Sequence, residues 1–157
     1  MSDQLGSLRD AGVRVTGVTH DSRRVEPGDL YACLRGASFD GHDFAADAVR
    51  AGAVALLVDH ELPSTEVGDV VQLVTDDTRA RLGPIAAEIA GHPSRRLTTI
   101  GVTGTNGKTT TAHLLAAILE AAGRPTGIMG TLAGARTTPE APELHSTLAG
   151  FVDEGRT

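Results

Sequence analysis

Aromatic residues are scarce in this chain, and tryptophan is absent. The 157 residues include one Tyr and three Phe, and the formal net charge is −6. So few rings leave little to stack on nucleic-acid bases, and the acidic balance gives no attraction for a polyanion or an anionic membrane. We therefore expect a small phosphorylated ligand rather than a nucleic-acid or membrane partner.

Cysteine is also nearly absent, since Cys33 is the only one. An internal disulfide is impossible, and the thiol lies in an apolar stretch, where we expect it to be a small core residue. The N-terminal residues do not resemble a signal peptide, and no run approaches the ~18 apolar residues of a membrane span. The sequence predicts a cytoplasmic protein.

Small aliphatic residues are plentiful instead. Hydrophobic residues make up 40% of the chain and charged residues 22%, a balance typical of a globular protein and not of a disordered one. With few aromatic residues, the core has to be built from Ala, Val, Leu and Ile. That composition suits layers of helix and sheet and favours the α/β class.

The most informative segment is a glycine loop within residues 98–111, which read TTIGVTGTNGKTTT. Gly104 and Gly107 lack Cβ atoms, so the loop backbone can adopt positive φ and turn its N–H groups toward a phosphate. Lys108 supplies a mobile positive charge, and Thr109 occupies the position that ligates Mg²⁺ in such loops. The segment predicts a site for ATP and Mg²⁺.

The flanking residues decide whether this loop is more than a chance glycine turn. The first glycine of the pattern G-x-x-x-x-G-K-[ST] is replaced by Val102, so the loop is a variant. However, Leu97–Val102 reads as a strand, and Thr109–Ala122 reads as a helix with an apolar face. Gly123 and Pro125 then end the helix. A strand, loop and helix in this order favour phosphate binding.

Residues before the loop predict a separate small domain. Its strands are expected at Val13–Thr19, Leu30–Leu34, Ala53–Val58 and Val70–Val74. Its helices are expected at Phe44–Ala51 and from a cap at Asp76 or Asp77 to about Ala90. The break Gly91-His92-Pro93-Ser94 marks the boundary. We therefore expect an α/β chain with a small mixed-sheet domain at 1–95 and the start of a phosphate-loop, parallel-sheet domain at 96–157.

The second segment offers few strands. A strand is expected at Thr126–Thr131, followed by a loop over 132–139 and a helix near Glu140–Asp153. Two strands with their helices leave an unpaired edge and uncovered apolar faces. The sequence predicts that this second domain is incomplete.

Several motifs in this order resemble the Mur ligase family, and within it the MurE branch, the tripeptide synthetases of peptidoglycan precursor synthesis. The motifs are DSR at 21–23, PGDLY at 27–31, GASFDG at 36–41, GTNGKTT at 104–110, MGT at 129–131 and TTPEAP at 137–142. The resemblance implies an ATP-dependent ligase that adds diaminopimelate or lysine to UDP-N-acetylmuramoyl-L-alanyl-D-glutamate through an acyl phosphate.

The resemblance also implies roles for individual residues. The UDP end of the substrate would lie against His20, Ser22, Ala37, Ser38 and Phe39. The peptidyl arm would lie against Thr137 and Thr138, although the loop before them is shorter than is usual in the family. The nucleotide would lie against Gly104, Thr105, Asn106, Gly107, Lys108, Thr109 and Thr110, with Lys108 as the catalytic cation and Thr109 as the Mg²⁺ ligand.

Two of these segments have a purely structural alternative. Asp21-Ser22-Arg23 can be a capped turn held by local hydrogen bonds, and the resemblance alone reverses that preference. Thr137-Thr138-Pro139 can be a helix start, and both roles are compatible. The six histidines are scattered without ligand spacing, so no metal is expected beyond the Mg²⁺ that accompanies ATP.

Three functional hypotheses stay open. The first is a portion of the ligase that is inactive by itself, because one lysine and one hydroxyl cannot assemble a whole phosphoryl-transfer site; it would bind the UDP substrate weakly and ATP poorly. The second is a non-catalytic module that binds a UDP-sugar. The third is a relative such as folylpolyglutamate synthetase, which the Asp21–Arg23 segment disfavours.

Overall fold

The computed structural model describes residues 5–130 and 139–157. The chain divides into two compact units, Met1–Ile89 and Ala90–Thr157. No helix in the described residues is long and apolar enough to cross a membrane.

The first unit is built on a four-stranded parallel sheet. Its strands are β1 (Gly17–Thr19), β2 (Asp29–Ala32), β3 (Ala55–Val58) and β4 (Val71–Val74), which lie side by side in sequence order. In register, Leu30 pairs with Ala55 and Ala55 with Val71. The α/β class is confirmed, and the sheet is wholly parallel rather than mixed, because each connection returns the chain to the same end of the sheet before the next strand begins.

Four helices accompany this sheet. They are α1 (Gly6–Asp10), α2 (Ala45–Ala51), α3 (Ser64–Val67) and α4 (Thr78–Ile89), with single 3₁₀ turns at Ser22–Arg24 and Gly41–Phe44. The four expected strands are all present, although the first is only three residues long. Of the two candidate caps of α4, the structure uses Asp77, whose carboxylate accepts the Ala80 N–H at 2.9 Å.

The core lies around the two central strands. Every residue of β2 and β3 is buried, as expected for parallel strands covered on both faces. Tyr31 and Leu56 are register partners and pack in one cluster with Ala48 of α2. Cys33 belongs to the same cluster and is fully buried, which confirms its expected structural role; burial raises the pKa of its thiol to about 12.

The second unit contains two long helices. They are α5 (Lys108–Ala121) and α6 (Ala141–Asp153), preceded by a 3₁₀ turn at Pro93–Arg95. Both expected helices are confirmed, and Gly123 adopts φ of 75° just past α5 as a C-terminal glycine should. Phe151 of α6 packs directly over Gly127, where any side chain would meet its ring.

The strand expectations in this unit are wrong for the described residues. Neither Leu97–Val102 nor the described part of Thr126–Thr131 forms a strand. The two segments instead lie against α5, where Ile100 and Ile128 line a cavity of about 130 Å³ with Leu115. Two short segments without further neighbours gain too few ladder hydrogen bonds to form a stable sheet.

Candidate functional site

The glycine loop of the second unit has the backbone geometry expected of a phosphate site. Gly104 and Gly107 have φ of 152° and 79°. Gly107 is the cap residue of α5, and the Thr111 N–H donates to its carbonyl at 2.9 Å. The N–H groups of the first helical turn, which begins at Lys108, therefore have no carbonyl of this helix to bind and point toward the loop.

Lys108 is the only lysine in the chain. Its ammonium group folds back over the loop and donates to the carbonyl of Gly104 at 2.5 Å and to that of Thr105 at 3.4 Å. Thr109 and Thr110 are exposed at the start of α5. A positive charge, a helix N-terminus and two hydroxyls thus share one accessible loop, an arrangement suited to a polyphosphate with its metal ion.

A second set of expected site residues lies in the first unit, at the carboxyl ends of β1 and β2. His20 follows β1 directly, and Ser22 begins the 3₁₀ turn after it. The segment with Ala37, Ser38 and Phe39 follows β2 and is closed by a backbone bridge between Arg35 and Asp40. Because β1 and β2 are parallel neighbours, both segments lie at the same edge of the sheet, where open α/β sheets bind ligands.

Local hydrogen bonds hold the Asp21–Arg23 turn, as the structural alternative predicted. The Asp21 carboxylate accepts the Arg23 backbone N–H at 3.1 Å and two guanidinium hydrogen bonds at 2.8 and 2.7 Å. The hydrogen bond from Arg23 lowers the pKa of this carboxyl to about 2. The turn is therefore preformed, which is compatible with a binding role for Ser22.

Tyr31 lies beside both segments, and sequence analysis did not identify it. Its side chain is buried in β2, and its hydroxyl donates to the Gly41 carbonyl at 3.1 Å. The Ser22 side chain lies near the same hydroxyl, and burial raises the pKa of Tyr31 well above its usual value. The phenol therefore fixes the loop after β2 and lies beside the turn after β1.

Phe39 is the most exposed large hydrophobic residue of the described chain, at 74%. It stands in the short loop between Arg35 and Asp40, beside Ala37 and Ser38, which are also exposed. An exposed ring on a loop at this edge of the sheet is available to cover a planar heterocycle. The expected residues Thr137 and Thr138 lie outside the described residues.

Polar residues that sequence analysis did not connect meet beside this loop. His42, Asp59 and His60 place their nitrogen and oxygen atoms within 4.8 Å of one another. They come from the loop after β2 and from the end of β3, and these lie next to each other only because the two strands pair. Spacing along the sequence carried no signal of this contact.

Comparison with known families assigns both units to one family. The profile described as Mur ligase family, catalytic domain, matches residues 14–89, and the Mur ligase middle domain matches residues 102–157. The chain belongs to the Mur ligase family. The resemblance seen in the motifs is thereby confirmed.

Relatives with 42–45% identity are of the MurE type. The UDP-N-acetylmuramoyl-L-alanyl-D-glutamate--2,6-diaminopimelate ligase of Streptomyces coelicolor is 45% identical over 99% of this chain and 33% of its own. The UDP-N-acetylmuramyl-tripeptide synthetase of Deinococcus radiodurans is 42% identical over 90% of this chain and 31% of its own. The chain thus spans about a third of the length of these Mur ligases.

Solved structures agree with this assignment. A structure of a UDP-N-acetylmuramoyl-L-alanyl-D-glutamate--2,6-diaminopimelate ligase superposes with a TM-score of 0.71 at 27% identity, covering 91% of this chain and 30% of the other. The MurF ligase of Thermotoga maritima in complex with ADP gives a TM-score of 0.56 at 27% identity, covering 94% of this chain and 30% of the other.

Proposed function

We propose that this chain supplies the UDP-substrate edge and the ATP phosphate loop of a ligase that extends UDP-N-acetylmuramoyl-L-alanyl-D-glutamate by one amino acid, diaminopimelate by analogy with the relatives. The loop at Gly104–Thr110 carries the proposal, because it joins the only lysine of the chain to positive-φ glycines and a helix N-terminus. The proposed reaction is ATP-dependent activation of a carboxylate as an acyl phosphate, which an amine then attacks.

The residues of the loop fit ATP and Mg²⁺. No atom lies within 4 Å of a Cβ built on Gly107, and the nearest to one on Gly104 is the Asn106 carbonyl oxygen at 3.6 Å, so a phosphate can approach the backbone closely. Lys108 would move from the loop carbonyls to the phosphate oxygens, and Thr109 would ligate the Mg²⁺. Bound Mg²⁺ would neutralise the charge that develops during phosphoryl transfer.

The proposed domains divide at residue 95, six residues beyond the end of the first compact unit at Ile89. Residues 1–95 would bind the UDP precursor at the edge formed by His20, Ser22 and the loop with Phe39. Residues 96–157 would begin the ATP-binding domain, with Thr137 and Thr138 near the peptidyl arm. Catalysis of the ligation is proposed only for a full-length ligase of this type. The cytoplasmic location remains a prediction.

Amine-specific labelling tests the nucleotide site, because Lys108 is the only side-chain amine. The chain is treated with an amine-reactive reagent with and without Mg²⁺-ATP, and the modified fraction of Lys108 is read by peptide mass spectrometry. We expect ATP to protect Lys108 at millimolar concentration and Lys108→Ala to abolish ATP binding measured by NMR. Labelling of the N-terminal amine is the internal control, and equal labelling of Lys108 with and without ATP would contradict the proposal.

A second titration separates the ligase from a UDP-sugar-binding module. UDP-N-acetylmuramoyl-L-alanyl-D-glutamate is titrated into the parent chain and into the Ser22→Ala and Phe39→Ala variants, and binding is measured by NMR. His113→Asn, which changes an exposed residue of α5, is the matched control. Weaker binding in the first two variants supports the proposed edge. Substrate binding without any ATP protection of Lys108 would favour the non-catalytic module.

A further inference from the structure

The polar cluster beside the loop after β2 brings together three side chains that can bind a metal ion. We define the His–Asp cluster as His42, Asp59 and His60. The His42 Nε2 atom lies 3.3 Å from Asp59 Oδ1, and the His60 Nδ1 atom lies 2.5 Å from that same oxygen. The two imidazole rings are stacked with their centroids 4.7 Å apart. Two ring nitrogens and one carboxylate oxygen therefore converge on one small volume.

A second carboxylate orients the buried imidazole. The His42 side chain is only 6% exposed, and its Nδ1 lies 2.5 Å from Asp40 Oδ1. Asp40 Oδ1 also accepts the His42 backbone N–H at 3.0 Å, so the carboxylate is itself held in place. A histidine ligand whose second nitrogen donates to a carboxylate is the usual arrangement at protein metal sites.

The far nitrogen of His42, Nε2, accepts a backbone hydrogen bond. The Asp59 backbone N–H, which can only donate, points to it at 3.3 Å. Nε2 is therefore the acceptor of the ring and Nδ1 carries the proton toward Asp40. This is the tautomer in which Nε2 can bind a cation, which would take the place of the Asp59 N–H.

Both carboxylate oxygens of Asp59 also contact Arg35, so a metal ion at Oδ1 would displace the longer of these two contacts. Arg35 Nε lies 2.6 Å from Asp59 Oδ2 and 3.6 Å from Asp40 Oδ2, and Arg35 Nη2 donates to Asp59 Oδ1 at 3.3 Å. The two carboxylates together carry one more negative charge than this single guanidinium balances.

We propose that His42 Nε2, His60 Nδ1 and Asp59 Oδ1 bind Zn²⁺, with Asp40 as the orienting carboxylate. Two imidazoles and a carboxylate suit this ion, whereas Mg²⁺ prefers oxygen ligands alone. His60 is 54% exposed, which gives the ion a route from solvent and leaves room for water as a further ligand. The bound ion would tie the loop carrying Phe39 to the end of β3, independently of the proposed ligase function.

Calorimetric titration of Zn²⁺ into the full chain, prepared without a polyhistidine tag and freed of metal, tests this site. We expect one saturable ion per chain and no comparable uptake of Mg²⁺. His60→Asn should weaken Zn²⁺ binding, and this loss is the simplest to interpret because the exposed residue can change without disturbing the core. Asp40→Asn should weaken it by roughly tenfold, as the loss of an orienting carboxylate does.

His113→Asn is the matched control, because it removes an exposed imidazole in the other unit. Far-UV circular dichroism of each variant confirms that folding is unchanged, and Co²⁺ absorption bands provide an independent readout of the ligand set. Zn²⁺ uptake that is absent in the parent chain, unchanged in His60→Asn, or lost equally in His113→Asn would overturn the proposal.

Discussion

The two units of this chain are both rich in aliphatic residues, but they bury these residues to different extents. In the first, β2 and β3 are completely buried between helices and a sheet neighbour lies on each side. In the second, α5 keeps Leu114 and Ile118 at 61% and 65% exposure, and the described residues include no strand. Apolar sequence alone therefore does not make a core, because strands also need partners for their backbone hydrogen bonds.

The contrast extends to the two candidate sites. The proposed substrate edge of the first unit is held by contacts between elements, such as the hydrogen bond from Tyr31 of β2 to the Gly41 carbonyl. The glycine loop of the second unit is held by its own glycines and by Lys108 bonding back to Gly104. A site made by tertiary contacts should be sensitive to distant mutations, whereas a local loop should not.

The largest expected difference is in the cost of removing an apolar side chain. Leu57→Ala, at a fully buried position of β3, should destabilise the first unit by about 3 to 4 kcal/mol because it leaves a cavity. Ile118→Ala on α5 should change stability by less than about 0.5 kcal/mol. Hydrogen exchange, read by mass spectrometry in peptides from each unit, measures both; equal effects would remove the distinction between the units.

Glycine substitutions should show the same contrast at a smaller scale. Gly52 has φ of 115°, and a Cβ there would lie 2.9 Å from Pro27 Cα, so Gly52→Ala should cost roughly 2 to 3 kcal/mol. Gly123 has φ of 75° with no atom within 4 Å, and Gly123→Ala should cost about 1 kcal/mol. Urea denaturation of the two variants gives the comparison, and a larger loss at Gly123 would contradict it.

Tyr31→Phe should sharpen the comparison at the substrate edge. The change keeps the ring but leaves the Gly41 carbonyl without its donor, so we expect a loss of about 1 to 2 kcal/mol in the first unit. Weaker binding of the UDP precursor with unchanged ATP protection of Lys108 would show that the phenol orders this edge. Unchanged binding of both ligands would restrict Tyr31 to a packing role.

The smallest expected effect concerns the pH dependence of the Asp21–Arg23 turn. The pKa of Asp21 is lowered to about 2 in the folded chain. Its ionised carboxylate therefore contributes fully to the free energy of unfolding above the unfolded pKa of about 3.9, and this contribution is lost as the pH falls toward 2. In Arg23→Gln the carboxyl pKa should return toward the unfolded value. The carbon chemical shift of the Asp21 carboxyl, followed against pH, measures its pKa directly. An unchanged pKa in the variant would show that the ion pair with Arg23 does not cause the lowered value.

Local patterns predicted the elements that depend on nearby residues. The helices α4, α5 and α6 follow apolar periodicity together with terminal signals such as Asp77 and Gly123, which act within one turn of the chain. The positive φ of Gly104 and Gly107 was likewise predictable, because it depends on the residue type. The wholly parallel sheet was not, since strand direction depends on where each crossover returns.

The sequence by itself determined the α/β class, the positive-φ glycine loop and the family to which the chain belongs, because these depend on residue types in a fixed order. Only the tertiary structure decided that Tyr31 bonds the Gly41 carbonyl beside Ser22 and that His42 meets Asp59 and His60. The first contact depends on the pairing of β1 with β2, and the second on the pairing of β2 with β3. No sequence spacing encodes such proximity, because it depends on strand register and burial acting together.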